Sequence, residues 1–150
     1  MESIDLQELF DKVSQIIGDS PESYTDIKYD TTYVIPAGNI FEITKMLMDE
    51  FDCSHLSGIT AQQREGQRDV IEVLYHFWHG TGFSFMMVLP LDAPELPSVK
   101  PILPGADFYE REVAEMFGVN FTGREETPRL LLPDNWSGGP PFIRSEVQDE

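Results

Sequence analysis

Glu110-Arg111-Glu112 sets two carboxylates and a guanidinium in three successive residues of this 150-residue sequence. Two carboxylates so close together invite an acid/base reading. The stretch from Asp107 to Phe117 has helical spacing, however, and successive helical residues lie about 100° apart. Glu110 and Glu112 then point about 200° apart and do not converge on one substrate atom. The histidines offer little more. His76 and His79 are three apart in a predicted strand, which sends them to opposite faces. Cys53 and His55 could share a face, but a zinc ion takes about three or four protein ligands. The chain has no Gly-x-Ser-x-Gly elbow, no Gly-x-Gly-x-x-Gly after a strand and no phosphate loop. Gly80-Thr81-Gly82 reads as a hairpin turn.

The charged helix has a structural reading of its own. Asp107 is placed to cap it, with Glu110 at the capping-box position. Gly118 is placed to end it in the left-handed conformation. Tyr109, Val113, Met116 and Phe117 form its apolar stripe. Arg111 and Glu115 are four apart and can pair along the surface. Because the three charges fan out beside the stripe, at least one is expected to be partly buried, and a buried charge needs a partner. All four basic residues after position 100 are arginines: Arg111, Arg124, Arg129 and Arg144. The guanidinium suits bidentate pairing at interfaces. The alternative is a solvated charged face.

The elements that must position this helix are legible as periods. Ser3 is predicted to cap a first helix carrying Leu6, Leu9, Phe10, Val13, Ile16 and Ile17, with Gly18 at its end. Tyr24 to Tyr29 and Thr31 to Ile35 read as strands around a turn at Asp30. Asn39 with Glu42 resembles a capping box before a second helix with Ile40, Ile43, Leu47 and Phe51 on one face. His55 to Gln63, Asp69 to His79, and Phe83 to Leu89 read as strands, with turns at Glu65-Gly66-Gln67 and Gly80-Thr81-Gly82. The expected class is α+β: two N-terminal helices packed on a mainly antiparallel sheet, then a short signature helix and an extended C-terminal tail. The expected division is a core at 1–90, a Pro-rich linker at 91–104, the helix at 105–118 and a docking tail at 119–150. Nine of the 11 prolines lie from Pro90 onward. The tail has no sustained period, yet it holds Phe121, Leu130, Leu131, Leu132, Trp136, Phe142 and Ile143. So long a structureless segment is uncommon inside a compact domain, and a disordered one would hold fewer large apolar groups. Lying extended on another protein is favoured over wrapping back on its own sheet.

Composition excludes several classes. The 27 acidic and 10 basic residues leave a formal charge of -17, which repels phosphate backbones and argues against nucleic acid as a partner. A single cysteine makes no internal disulfide and anchors no iron–sulfur cluster. Met1-Glu2-Ser3 opens directly into an amphipathic pattern, so no signal peptide is expected. The longest apolar run, Met86-Met87-Val88-Leu89, is far short of the roughly 20 residues that span a bilayer.

Pro97-Ser98-Val99, followed by Pro104-Gly105-Ala106-Asp107-Phe108-Tyr109-Glu110-Arg111-Glu112-Val113-Ala114-Glu115-Met116-Phe117-Gly118-Val119, closely resembles the signature of the small hydrophilic C subunit of respiratory complex I. The same family includes the corresponding subunit of membrane-bound [NiFe]-hydrogenases and related archaeal complexes. Gly123-Arg124, Arg129-Leu130-Leu131 and Leu132-Pro133-Asp134-Asn135-Trp136 fall at matching places downstream. The resemblance covers nearly the whole chain, and its specific part is about the last third. Arg124 stands where His or Lys is usual, and Pro141-Phe142-Ile143-Arg144-Ser145 replaces the usual Pro-Leu-Arg-Lys-Asp. These departures, with the short chain, favour the hydrogenase-like or ferredoxin-linked branch over an NADH- or other quinone-reducing complex I.

The resemblance implies a subunit with no catalytic, cofactor-binding or metal-binding residue of its own. Such a subunit docks on the large subunit related to the [NiFe]-hydrogenase catalytic subunit, beside an iron–sulfur subunit. The [NiFe] centre, the iron–sulfur clusters or both belong to those partners. It is held peripherally on the cytoplasmic side of an ion-translocating membrane arm. The expected subunit interface comprises Glu110, Arg111, Glu112, Glu115, Phe117, Arg124, Arg129, Trp136, Phe142 and Arg144. Two other readings stay open: a small independent enzyme using Glu110, Glu112 and His76, and an acidic adaptor that recruits a basic partner by charge.

Overall fold

A computed structural model describes residues 3–25, 31–64, 66–125, 130–133 and 135–143. The first helix, α1 (Leu6–Ile17), buries Leu9 and Val13 completely. Its N-cap is Asp5, not Ser3: the Asp5 carboxylate accepts from the Gln7 and Glu8 N–H groups at 2.9 and 3.2 Å. Ser3 is engaged elsewhere, against the turn at Gly80. A Cβ on Gly80 would lie 2.5 Å from the Ser3 Cα, and Gly80 has φ +74°. The neighbouring Ile4 N–H donates to the His79 carbonyl at 2.9 Å. Gly18 ends α1 at φ 75° as its sequence position predicts.

Strand β1 (Glu22–Thr25) begins two residues before its sequence pattern and β2 (Thr31–Val34) ends one residue short of its own; the remainder of the first predicted strand and the turn at Asp30 lie outside the described residues. A 3-10 turn, Ala37–Asn39, leads into α2 (Ile40–Phe51). The expected capping box is not formed. Asn39 already has helical angles (φ -99°, ψ -3°) and makes no side-chain cap bond, whereas a capping side chain needs an extended backbone. Strands β3 (Leu56–Gln62), β4 (Val70–Trp78) and β5 (Gly82–Pro90) follow.

The five strands form one sheet in the order β1-β2-β5-β4-β3, antiparallel except for the β2–β5 pair. The register sets Tyr75 opposite Phe85 and Val73 opposite Met87. These alternate residues, with Ile71, Phe77, Phe83 and Leu89, face the same core as Leu9, Val13, Ile43 and Leu47. Stacked rings join neighbouring strands, with Tyr33–Phe85 centroids at 5.7 Å and Phe77–Phe83 at 5.8 Å, and Phe10 of α1 meets Tyr33 of β2 at 6.2 Å. The two-helices-on-a-sheet arrangement is therefore as the periods predict.

The Pro-rich segment 91–104 does more than space two units. It contributes strand β6 (Glu95–Pro97) and the buried residues Leu96, Val99 and Leu103. Helix α3 (Asp107–Phe117) follows, and β7 (Asn120–Thr122) then pairs parallel with β6. This small β–α–β unit closes the fold: Val119 and Phe121, at the start of the segment read as a tail, join the common core.

Candidate functional site

The unit β6–α3–β7 decides where the signature charges go. Parallel pairing of β6 with β7 lays the Ser98 N–H on the Thr122 carbonyl at 2.8 Å. Ser98-Val99 and Arg124, far apart in sequence, then meet on either side of α3's first turn.

Glu110 lies at their centre, fully buried. Its Oε1 accepts from Ser98 Oγ at 2.6 Å and from Arg124 Nη1 at 2.9 Å. Its Oε2 accepts from the Val99 N–H at 2.9 Å and from the Tyr75 hydroxyl at 3.3 Å. Four donors satisfy the carboxylate, so no lone pair is left for the expected capping box. Asp107 does not serve as the N-cap either. The cap position is Ala106, in a 3-10 turn with helical angles, and the Asp107 carboxylate is used laterally. It accepts from Arg124 Nη2 and lies 3.3 Å from Lys100 Nζ and 3.8 Å from Arg111 Nη1. Arg124 is thus a bridge between two carboxylates one helical turn apart, with its own side chain 8% exposed.

The electrostatics follow from this geometry. Burial pushes the Tyr75 hydroxyl well above its ordinary value, and the adjacent Glu110 charge adds to the rise. Burial works to raise the Asp107 carboxyl, but hydrogen bonds from Arg124 and Lys100 outweigh it and hold the group below the usual carboxylate value. Both acids also sit in the first turn of α3, where the helix dipole favours negative charge.

The second half of α3 meets the C-terminal segment. Glu115 accepts three successive backbone N–H groups: Leu130 and Leu131 on Oε2 at 3.1 and 2.8 Å, and Leu132 on Oε1 at 2.7 Å. The Phe142 N–H donates to the Met116 carbonyl at 3.0 Å, and the Phe117 and Phe142 rings meet edge to face at 5.5 Å. Two hollows flank the helix. One, of about 450 Å³, is lined by Glu110, Arg111, Glu115, Arg124 and Trp136 among others. The other, of about 350 Å³, is lined by Glu112, Phe117, Leu131 and Phe142 with the β3 residues Ile59, Thr60 and Ala61. Glu110 and Glu112 thus line different hollows, as the helical fan requires.

The structure gathers Glu110, Arg111, Glu112, Glu115, Phe117, Arg124, Trp136 and Phe142 around one helix; Arg129 and Arg144 lie outside the described residues. It does not gather the trio of the enzyme reading. His76 is engaged between Thr60 Oγ1 at 2.8 Å and Ser84 Oγ at 2.7 Å, and it alternates in β4 with Tyr75, which faces the core. Cys53 is buried while His55 is exposed, and burial raises the Cys53 thiol. Among the described residues, no three His, Cys, Asp or Glu side chains are grouped to hold a metal ion. Sequence reasoning missed Tyr75, Ser98 and Lys100 as partners of the charged helix. The only signal available was Pro97-Ser98-Val99, which marks a match without saying what it touches.

Comparison with known proteins accords with this architecture. Residues 33–148 match the family described as the respiratory-chain NADH dehydrogenase 30 Kd subunit. Two relatives, each named as the C subunit of an NADH-quinone oxidoreductase, come from Nocardioides sp. and Saccharopolyspora erythraea. They are 30% and 32% identical over 71% and 73% of this chain. The chain spans about half the length of these relatives, 43% and 46% respectively. Among solved structures, a chain of the archaeal membrane-bound sulfane sulfur reductase superposes with a TM-score of 0.66 at 27% identity, covering 87% of this chain and 79% of that one. The trypsin-resistant fragment of Nqo5 superposes at 0.62 and 21% identity, covering 81% and 98%, a likeness of fold. The chain belongs to the family of the 30 Kd subunit of respiratory-chain NADH dehydrogenase.

Proposed function

We propose that this chain is a non-catalytic peripheral subunit that docks on and positions the large electron-transfer subunit of a membrane-bound, ion-translocating oxidoreductase. The observation that carries the reading is the surface beside α3. Leu131, Trp136 and Phe142 are 51%, 37% and 59% exposed, yet the segment bearing them is held on the helix by backbone bonds. Large apolar groups kept at a surface by local structure mark a contact site, and aromatic residues carry most of the energy at such sites.

The partner in this reading is the large subunit related to the [NiFe]-hydrogenase catalytic subunit, beside an iron–sulfur subunit. Those chains carry the [NiFe] centre or the clusters. This chain is held by them on the cytoplasmic side and touches the membrane arm only through them. No described helix is long and apolar enough to cross a membrane. The hydrogenase-like or ferredoxin-linked branch is favoured, with support from the likeness to a chain of the archaeal sulfane sulfur reductase complex. The same role in an NADH- or other quinone-reducing complex is the second reading, and the names of the curated relatives favour it. Mass spectrometry of the subunits that co-purify with the tagged chain separates the two branches.

Arg111 tests the docking role itself. It lines the larger hollow with its side chain 24% exposed. Arg111→Ala is expected to release the subunit or lower the yield of the complex. Wild-type yield with full electron-transfer activity overturns the proposal.

A further inference from the structure

The tail segment is fastened in an unusual way. Leu130, Leu131 and Leu132 are fastened by their backbone N–H groups to one carboxylate, Glu115. Donors aimed at an ionised acceptor make stronger bonds than neutral pairs, and a run of successive N–H groups forms a cradle suited to an anion. Glu115 fills that cradle from within the chain. A second fastening lies further along. Pro140 sits against the helix end, where a Cβ on Gly118 would come within 2.8 Å of its Cγ, and the Phe142 N–H reaches the Met116 carbonyl. Held at these two places, the segment leaves Leu131, Trp136 and Phe142 exposed.

We infer that Glu115 is a positioning residue: its carboxylate presets the backbone of 130–132 so that Leu131, with Trp136 and Phe142 beyond it, is presented to the partner subunit in docking-ready form. The inference rests on the docking role proposed above. Ordering a loop at an interface weakens binding, and a loop ordered beforehand avoids that loss. Glu115 therefore strengthens docking without needing to touch the partner.

The test uses the complex purified through a tag on this chain. Two quantities are read: hydrogen exchange at the amides of 130–132, and the rate at which excess untagged chain displaces the tagged one. Glu115→Ala is expected to remove protection at those amides and speed displacement about tenfold, the scale of re-ordering one or two backbone residues. Glu115→Gln keeps the shape and one acceptor oxygen, able to serve the Leu130 and Leu131 amides. It is expected to fall between the two, a graded rescue that loss of fold would not produce. Wild-type protection in Glu115→Ala overturns the clasp. Lost protection with wild-type displacement overturns its positioning role while docking stands. A chain cut before residue 130 that is displaced at the wild-type rate refutes the docking role instead, and the inference with it.

Discussion

Replacing Arg124 by methionine is the sharpest test of how α3 is held. Methionine keeps much of the aliphatic stem and removes the guanidinium. Glu110 would then be an ionised carboxylate with no exposure and three neutral donors: Ser98 Oγ, the Val99 N–H and the Tyr75 hydroxyl. Removing one partner of a buried ion pair costs about 3–5 kcal/mol, because the remaining charge stays desolvated. Domains of this size are stable by about 5–15 kcal/mol, so Arg124→Met threatens the fold. At about 2–4 °C per kcal/mol, the melting temperature should fall by roughly 10 °C. Urea unfolding at neutral pH measures the loss directly. The double variant Glu110→Gln/Arg124→Met removes both charges and should recover most of the stability, because a neutral amide is far cheaper to bury than a lone anion. An Arg124→Met variant within about 1 kcal/mol of wild type, or a double variant no better than the single, refutes the claim that this pair is a mutually dependent buried bridge.

Two further outcomes follow from the same geometry. The Asp107 carboxyl is held below its ordinary value of 3.8 by Arg124 and Lys100, so it contributes stability above that pH and loses it as the pH falls through the lower, folded-state value. Asp107→Asn should accordingly be less stable than wild type at pH 7, with the gap closing in acid titration below about pH 4; a gap unchanged at pH 2 counts against it. Gly80→Ala places a Cβ 2.5 Å from the Ser3 backbone in a left-handed residue, and should cost about 2 kcal/mol or more. It should also expose the Ile4 amide to exchange, and a thermal melt superimposable on wild type would show that the N-terminal segment is not held at this turn.

What was legible in the sequence, and what was not, divides along the range of the interactions. The stripes Leu6, Leu9, Val13 and Ile40, Ile43, Leu47, and the alternations Ile71, Val73, Tyr75, Phe77 and Phe83, Phe85, Met87, Leu89, are local periods, and the first two helices and the central hairpin follow from them. The need for a partner at the charged helix was legible too, because a charge beside an apolar stripe cannot be left alone. Which partner answers it was not. Ser98 and Arg124 reach Glu110 only because β6 and β7 pair, and strands of three residues each are too short to carry a period. Capping motifs misled for a related reason. Ser3, Asn39 and Asp107 have the right side chains at the right spacing, but tertiary contacts or a preceding 3-10 turn had already fixed their backbones or engaged their side chains elsewhere.

The C-terminal segment shows the limit most clearly. Its lack of period reads as the lack of a surface of its own, because periods record side chains that are buried. Leu130, Leu131 and Leu132 are fastened through backbone N–H groups, which every residue but proline possesses, so this attachment leaves no trace in residue type. The only trace is the acceptor, Glu115, and from sequence it looked like a partner for Arg111. Attachment by backbone also explains why Leu131 and Phe142 remain outside: a segment held by its N–H groups has no need to turn its apolar side chains inward. Self-attachment and exposed apolar groups are thus consequences of one arrangement, and the exposed groups are left over for a second surface.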